Sequence, residues 1–198
     1  MSNRHEDAKL LRAGSTVCLR DRVETDLEAY LRWMATGEWL HWDAPWEDRL
    51  DVTSPDGEAR FREWFLSRVQ GPQPIPRTYA VIATHDGRPL GWVNRYERKR
   101  PSDWCVGIDI CEDSQLNRGR GTEALTLWID YLFDVSQVDR IALETWSFNH
   151  RMVRVAEKAG FSHEGTEHRA RKWRGEWLDK LQFAVSRRTR QTKQGETT

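Results

Sequence analysis

Apolar residues recur at helical spacing in four segments of the chain. The clearest segment is GTEALTLWIDYLF, whose apolar side chains stand at i, i+3, i+4, i+7 and i+8. These side chains are Leu125, Trp128, Ile129, Leu132 and Phe133. The segments ETDLEAYLRWMATGE and NHRMVRVAEKA follow the same period, and SPDGEARFREWFLSRV adds Ser54 as an N-cap and Pro55 at the first helical position. The pattern predicts four helices.

Short apolar runs between these segments predict strands. STVCLRDRV is the first, RTYAVIAT and PLGWVNRYE flank an Asp-Gly turn as a hairpin, and DWCVGIDICE, RIALETW, FSHEGTEHRARKW and WLDKLQFAVS follow. The order β-α-α-β-β-β-α-β-α-β-β mixes antiparallel hairpins with one parallel crossover. We expect an α+β (mixed α/β) single domain over residues 1–186, with a central, mostly antiparallel twisted sheet of about seven strands flanked by about four helices. Residues 187–198 are expected to be a frayed polar tail.

Composition narrows the classes of partner. Lys and Arg total 31 and Asp and Glu total 31, so the overall charge gives no reason to expect nucleic acid. Cys18, Cys105 and Cys111 lack CxxC spacing and suggest neither disulfides nor a metal site, which favours a reducing cytoplasm. The charged N-terminus and the lack of a long apolar run predict no membrane association. The sequence leaves a homodimer open.

A loop rich in glycine and arginine joins the fourth predicted strand to the clearest helix. Gly119 and Gly121 allow a phosphate to approach the backbone, the helix start supplies free N–H groups, and Arg118 and Arg120 add positive charge. A tight turn with solvated arginines is the alternative, because short glycine patterns are common.

Two motifs in order resemble those of the GNAT acetyltransferase superfamily, and especially its RimJ/RimL-like branch. LNRGRG, residues 116–121, resembles its pyrophosphate loop, and NHRMVRVAEKAGF, residues 149–161, resembles its Asn…Glu-Lys-x-Gly-Phe motif. The resemblance implies acetyl-CoA as co-substrate, no metal, and N-acetylation of an amine. It assigns cofactor binding to Ile110 and Cys111, whose backbone N–H groups would meet the thioester carbonyl between splayed strands, and to Leu116, Asn117, Arg118, Gly119, Arg120, Gly121, Thr122 and Asn149. Leu116 departs from the Gln or Arg of many relatives.

Asp109 is the acidic residue that we expect to face the cleft. By strand alternation it shares a face with Cys105, Gly107 and Cys111, opposite the apolar face of Val106, Ile108 and Ile110 that we expect to pack in the core. GID resembles the segment of aminoglycoside 6'-N-acetyltransferases in which an aspartate serves the substrate amine, so Asp109 is the candidate catalytic base. A strand-end Asp paired with an arginine is the alternative. The general acid stays unassigned, because the usual Ser and Tyr positions hold Met152 and Ala156.

The segment EWLHWDAPWEDR mixes tryptophans with acids, as would suit a cationic amine on an apolar group. We therefore assign Trp39, Trp42, Asp43 and Trp46 to acceptor binding, with packing beside a solvated acidic loop as the alternative. The expected acceptor is a protein or peptide N-terminus or a small-molecule amine. An aminoglycoside-type antibiotic acetyltransferase remains the alternative activity. A non-catalytic CoA- or RNA-binding module, using the basic HRARKWRGEW, is the alternative from another class.

Overall fold

An eight-stranded sheet forms the centre of the structure, a computed structural model that describes residues 8–98 and 104–190. The strands are β1 (Leu10–Ala13), β2 (Cys18–Arg20), β3 (Tyr79–Ala83), β4 (Pro89–Glu97), β5 (Trp104–Ile110), β6 (Arg140–Trp146), β7 (Ser162–Trp173) and β8 (Glu176–Ser186). Their order across the sheet is β1-β2-β3-β4-β5-β6-β8-β7. Strands β5 and β6 are parallel, and the other neighbours are antiparallel. The expected α+β class and mostly antiparallel sheet are confirmed.

Four α-helices cover the two faces of this sheet: α1 (Leu27–Thr36), α2 (Pro55–Gln70), α3 (Arg120–Asp134) and α4 (His150–Lys158). The five apolar side chains predicted for α3 are all buried, and with α4 they pack on one face. Helices α1 and α2 pack on the other face. Ser54 caps α2 as predicted, because its hydroxyl oxygen accepts the N–H of Gly57 at 3.2 Å. Strand alternation separates the cores, since Val17 and Leu19 join the first while Cys18 joins the second.

The N-terminal part of the sheet differs from the sequence-based expectation. The strand predicted over residues 15–23 is reduced to the three buried residues of β2, and β1 precedes it as an unforeseen edge strand. Strand β1 has only four residues, with partly or largely exposed side chains, so it shows no alternation that a sequence pattern could reveal. It exists because it pairs with β2.

Strands β5 and β6 separate halfway along β5. Their pairing runs from Trp104 to Val106, whereas β5 stays paired with β4 as far as Ile110. The N–H groups of a strand point alternately to its two sides, so those of Ile108 and Ile110 face the gap where β6 has diverged. The gap opens beside the start of α4, and it is the splay expected from the sequence.

The predicted polar tail begins in contact with the domain. Residues 187–190 are helical. Arg187 donates to the carbonyl oxygen of Phe133 at 2.8 Å, and Arg190 forms an ion pair with Asp130 at 2.7 Å. Fraying is therefore not seen for these four residues, because their arginines bind α3. Residues 191–198, the rest of this tail, and residues 1–7 and 99–103 of the predicted domain lie outside the described residues. Within the described ranges, no helix has the length and apolar character needed to cross a membrane.

Candidate active site

Two cavities meet where β5 and β6 separate. The loop cavity, about 380 Å³, lies between residues 115–122 and α4. The strand cavity, about 300 Å³, lies between β4, β5, β6 and the segment 42–47. The side chains or backbone that line both are those of Trp42, Ile108, Asp109, Asn149 and Met152. A ligand in one cavity therefore adjoins a ligand in the other.

The start of α3 presents unpaired donors to the loop cavity. Gly119, at φ 78°, is the N-cap residue, and no side chain caps the helix. This left-handed conformation favours glycine, and Asn117 preceding it also has a positive φ of 58°. The Nη1 atom of Arg120 is buried and has no hydrogen-bond partner among the described residues. A hydrogen bond from Nε to the carbonyl oxygen of Ser114, at 3.0 Å, orients the side chain of Arg118. The helix dipole and these two guanidinium groups make this end of the cavity suited to an anion.

The residues assigned to the cofactor from the sequence converge on this cavity, with one exception. Ile110, the whole run from Leu116 to Thr122, and Asn149 line it. Cys111 does not, because the carbonyl oxygen of Leu90 accepts its N–H at 2.8 Å and its side chain is buried in the core beneath α1 and α2. The assignment of a carbonyl-binding N–H to Cys111 is therefore wrong. The N–H of Ile110, which faces the gap, remains the candidate.

Asn149 connects the two sides of the cleft. Its Oδ1 accepts the N–H of Met152 at 3.0 Å and so caps α4, as an N-cap asparagine should. Its Nδ2 donates to the carbonyl oxygen of Trp42 at 3.0 Å. This asparagine therefore fixes the segment that was assigned to the acceptor.

Asp109 lies at the junction of the two cavities. Burial raises the pKa of this carboxyl group, and the negative charge of Asp43 raises it further. The charge of Arg49 and a hydrogen bond from Trp92 lower it, and the resulting pKa is about 8. Among the described residues, no ion-pair partner lies within 4 Å of Asp109, so the alternative of a strand-end Asp paired with arginine is not what the structure shows. A carboxyl group with a pKa near neutrality can exchange a proton with a bound amine.

The four residues assigned to the acceptor take different positions. Trp42 lines both cavities, Trp39 lines the loop cavity, and Asp43 lines the strand cavity. Trp39 is also buried, with its Nε1 donating to the carbonyl oxygen of Trp33 at 3.1 Å. Trp46 lines neither cavity. Its ring packs edge-on against Trp146 at 4.8 Å. Trp46 is thus part of the wall behind the cavity, and the alternative of packing applies to it.

Several residues of the cleft were not foreseen. The strand cavity also contains Tyr96, Glu144, Trp146 and Lys180, and the loop cavity also contains Arg151, Arg154 and Lys158. The three cations recur at i, i+3 and i+7 in α4, a helical period that was legible in the sequence. The four residues of the strand cavity come from β4, β6 and β8, and only the sheet order brings them together.

The cleft contains a hydroxyl group that could act as general acid, but it is not at either of the positions where many relatives carry one. Ala156 is fully buried in the core and Met152 lines both cavities without a titratable group. Tyr96 carries a hydroxyl on the strand cavity, and burial, followed by the influence of Cys105, raises its pKa. That hydroxyl therefore stays protonated over the physiological pH range. No group of three metal-ligating side chains occurs within residues 8–98 and 104–190.

Comparison with known proteins agrees with this architecture. A family profile described as an acetyltransferase (GNAT) domain matches residues 16–162. Aminoglycoside N(6')-acetyltransferase type 1 of Klebsiella pneumoniae is 27% identical over 165 residues, which cover 78% of each chain. The structure of aminoglycoside acetyltransferase AAC(6')-Ib with coenzyme A superposes with a TM-score of 0.66 at 21% identity, covering 90% of this chain and 99% of that one. Mycobacterium smegmatis RimJ with a CoA-disulfide gives 0.67 at 20% identity, covering 95% and 94%. Since the profile spans most of a chain with the matching fold, the protein belongs to the GNAT acetyltransferase family.

Proposed function

We propose that the protein transfers the acetyl group of acetyl-CoA to a primary amine, by direct attack of the amine within a ternary complex. The observation that carries this proposal is the position of Asp109 at the junction of two cavities of opposite character. The loop cavity is lined by five cations, one acid and the start of α3, whereas four acids, three aromatic rings and one cation are among the residues that line the strand cavity. One cavity suits an anionic cofactor and the other a cationic acceptor.

The loop cavity fits the cofactor that the family implies. The uncapped start of α3 and the buried, unpaired nitrogen of Arg120 would bind the pyrophosphate. The absence of a Gln or Arg at Leu116 is offset by Arg118, whose terminal nitrogens remain available beside the loop. Two similar structures are complexes with coenzyme A or its disulfide. Acetyl-CoA would supply an activated acetyl thioester at the gap between β5 and β6.

The reaction requires three things of this chain. Asp109 binds the ammonium group of the acceptor and removes its proton, which leaves the amine lone pair free to attack the carbonyl carbon. The N–H of Ile110 donates to the carbonyl oxygen as negative charge develops there, a contribution of about 3 kcal/mol for a well-placed donor. The carbon–sulfur bond then breaks, the nitrogen loses its second proton to water to give the amide, and CoA leaves with its sulfur ready to be protonated. Water or Tyr96 is the proton donor to the leaving sulfur that the cleft offers.

The charge of the strand cavity favours a small cationic acceptor of the aminoglycoside kind. Asp43 is paired with Arg49 at 3.3 Å, and Glu144 is paired with Arg98 and with the cavity's own Lys180, each at 2.6 Å. Among the described residues, Glu47 and Asp109 line the cavity without an ion-pair partner. Trp42 and Trp146 add apolar faces on which a ring could stack. The comparisons include aminoglycoside acetyltransferases and RimJ alike, so acetylation of a protein N-terminus, the activity expected of the RimJ/RimL-like branch, is the second acceptor class to test.

The RNA-binding alternative has little support from the basic hairpin β7–β8. Arg169, Arg171 and Arg174 each lie over a tryptophan ring of the same chain, at 4.6, 4.6 and 5.2 Å from the ring centroid. Their faces are therefore already stacked within the protein. Three buried free cysteines are compatible with the proposed cytoplasmic location.

Thermal unfolding and thiol release together test the proposal. Acetyl-CoA or CoA at 100 times its dissociation constant should stabilise the protein by about 2.7 kcal/mol, whereas ATP at the same concentration should not. Release of free thiol from acetyl-CoA should then depend on an added amine, with kanamycin-type aminoglycosides and an N-terminal peptide compared at equal concentration. Asp109→Asn should keep the shift with acetyl-CoA and lose thiol release. A protein that shows no selective shift, or no amine-dependent release with either acceptor class, would contradict the proposal.

A further inference from the structure

The loop cavity concentrates positive charge in a chain that has none overall. Lys and Arg balance Asp and Glu at 31 each, yet five cations and a single carboxyl group line this cavity. The five cations are Arg118, Arg120, Arg151, Arg154 and Lys158. The carboxyl is that of Asp109, at the far end where the strand cavity begins. The cavity is therefore built for a ligand that carries more than one negative group.

These cations fall into two sets on opposite walls. Arg118 and Arg120 belong to the loop and the start of α3. Arg151, Arg154 and Lys158 project from one face of α4, because residues three, four and seven apart share a helical face. At a rise of about 1.5 Å per residue, Arg154 and Lys158 stand about 6 Å apart along the helix axis. They lie further along α4 than Asn149 and Met152, which line both cavities, and they line the loop cavity but not the strand cavity.

Only part of the α4 set is engaged within the described chain. Arg151 forms an ion pair with Glu38 at 2.7 Å and lies over the ring of Trp42, 4.8 Å from its centroid. Its guanidinium group therefore already has partners within the chain. In residues 8–98 and 104–190, no acid lies within ion-pair distance of Arg154 or Lys158. Both side chains are exposed and border the cavity. Helix α4 therefore offers, beside a cavity suited to a phosphorylated ligand, two cations that no acid of the described residues pairs with.

The anionic groups of the proposed cofactor outnumber those that the loop can bind. CoA carries a pyrophosphate and, across one ribose, a separate 3'-phosphate. The start of α3, with Arg118 and Arg120, accounts for the pyrophosphate. We propose that Arg154 and Lys158 bind the 3'-phosphate, so that the protein distinguishes CoA thioesters from dephospho-CoA thioesters. This inference rests on the proposed use of acetyl-CoA. It assigns a specificity to a face of α4 that lies away from the reacting atoms.

Calorimetric titration with two ligands tests the assignment. Acetyl-CoA and acetyl-dephospho-CoA differ only in the 3'-phosphate, and the wild-type protein should bind the first at least about tenfold more tightly, as one charge-assisted hydrogen bond would give. In the double variant Arg154→Gln/Lys158→Gln the two dissociation constants should become nearly equal, through weaker binding of acetyl-CoA alone. Each single variant should retain part of the preference.

Lys172→Gln is the matched control, because it removes one positive charge from an exposed residue of β7 that lines neither cavity. It should leave the preference unchanged, which separates a local contact from a change in net charge. Equal wild-type affinity for the two ligands would overturn the inference, as would a double variant that keeps the preference or loses affinity for both ligands equally. If the wild-type protein binds neither ligand, the proposed function fails along with it. If it binds both equally, only the 3'-phosphate assignment fails.

Discussion

The side-chain amide of Asn149 joins two parts of the protein that are 107 residues apart in sequence: its Nδ2 donates to the carbonyl oxygen of Trp42 at 3.0 Å while its Oδ1 caps α4. Arg151, two residues on, supports the same segment through Glu38 and the face of Trp42. The wall of the loop cavity and the wall of the strand cavity are thus held by the N-cap and the first turn of α4. A substitution that moves one wall should therefore also shift the other.

The two hydrogen bonds of Asn149 can be separated by substitution. Asn149→Ala removes both, and loss of the cap alone should lower the free energy of unfolding by about 1 kcal/mol. Asn149→Asp keeps an oxygen that can cap the helix but, when ionised, has no N–H to donate to Trp42. We expect Asn149→Asp to retain most of the stability and both variants to have a higher KM for the acceptor amine.

Chemical denaturation and steady-state kinetics of the two variants make the comparison. Equal loss of stability in both would show that the bond to Trp42, and not the cap, supports the fold. A KM for the acceptor that stays at the wild-type value in both would show that the bond does not position the segment around Trp42.

The loop conformation at Gly119 gives a second prediction. Its φ of 78° is unfavourable for a residue with a Cβ, but a Cβ built there would meet no atom within 4 Å. Gly119→Ala should therefore cost about 1–2 kcal/mol from backbone strain alone, and it should weaken acetyl-CoA binding if the loop relaxes. Gly119→Asn should cost less, since asparagine adopts left-handed conformations more readily.

Gly121 provides the control for this pair. A Cβ at Gly121 would lie 3.6 Å from Ile110 and 3.7 Å from Val155, which is ordinary contact, and φ there is not positive. Gly121→Ala should fold with stability close to the wild type. Thermal unfolding with and without acetyl-CoA should rank the proteins as wild type, Gly119→Asn and Gly119→Ala. An Ala variant as stable as the Asn variant would argue against backbone strain as the cause.

Local patterns predicted much of the fold and of the lining of the loop cavity. The apolar stripe of α3, the cap at Ser54 and the sequence 116–122 are each contained in a few consecutive residues, so they could be read before any packing was known. The short edge strand β1 could not, because pairing with β2 and not its own pattern makes it a strand.

The strand cavity was harder to foresee because it is assembled from distant segments. Tyr96, Glu144 and Lys180 meet only through the order of β4, β6 and β8. Trp46 was assigned to the acceptor by its neighbours in sequence, yet its ring packs against Trp146. The N–H of Cys111 was assigned to the thioester carbonyl by resemblance. In the structure the carbonyl oxygen of Leu90 accepts the N–H groups of both Cys111 and Glu112, so the N–H of Cys111 points to β4 and away from the gap.

The charge of Asp43 should be visible in the pH dependence of the reaction. The segment 42–49 presents Asp43, Glu47 and Arg49 to this part of the cleft, and Trp92 faces Asp109 from β4. After burial, Asp43 is the largest influence that raises the pKa of Asp109 to about 8. Removing that charge in Asp43→Asn lowers the pKa of Asp109, so kcat/KM should begin to rise at a lower pH than in the wild type.

Glu47→Gln is the control, because Glu47 lines the same cavity but is not among the groups that shift Asp109. The titration of the acceptor amine is common to all three proteins when the same acceptor is used, so the difference between profiles reports on the enzyme. We expect the Glu47→Gln profile to follow that of the wild type. If Asp43→Asn leaves the profile where it was, Asp109 is not the group whose ionisation limits the reaction.

Asp109 should cost the folded protein stability at the pH where it serves the reaction. Its pKa is about 8 in the folded state and about 3.9 in an unfolded chain, so between these values the folded state binds more protons than the unfolded state. This contribution makes the free energy of unfolding fall as pH rises from about 4 to about 8. Asp109→Asn removes the titration, and at pH 9 it should raise the free energy of unfolding by at least about 1 kcal/mol, or a few degrees in Tm.

The same substitution should lower kcat at least about 100-fold, as loss of a general base usually does. At pH 5, where the folded wild-type carboxyl is still protonated and only the unfolded chain is ionised, the advantage of Asp109→Asn in stability should be clearly smaller than at pH 9, so each protein serves as its own control. Urea unfolding at pH 5 and pH 9 measures the contrast. If the advantage of Asp109→Asn in stability is no larger at pH 9 than at pH 5, the carboxylate is not held at an energetic cost. The proposed proton acceptor would then lose its physical basis.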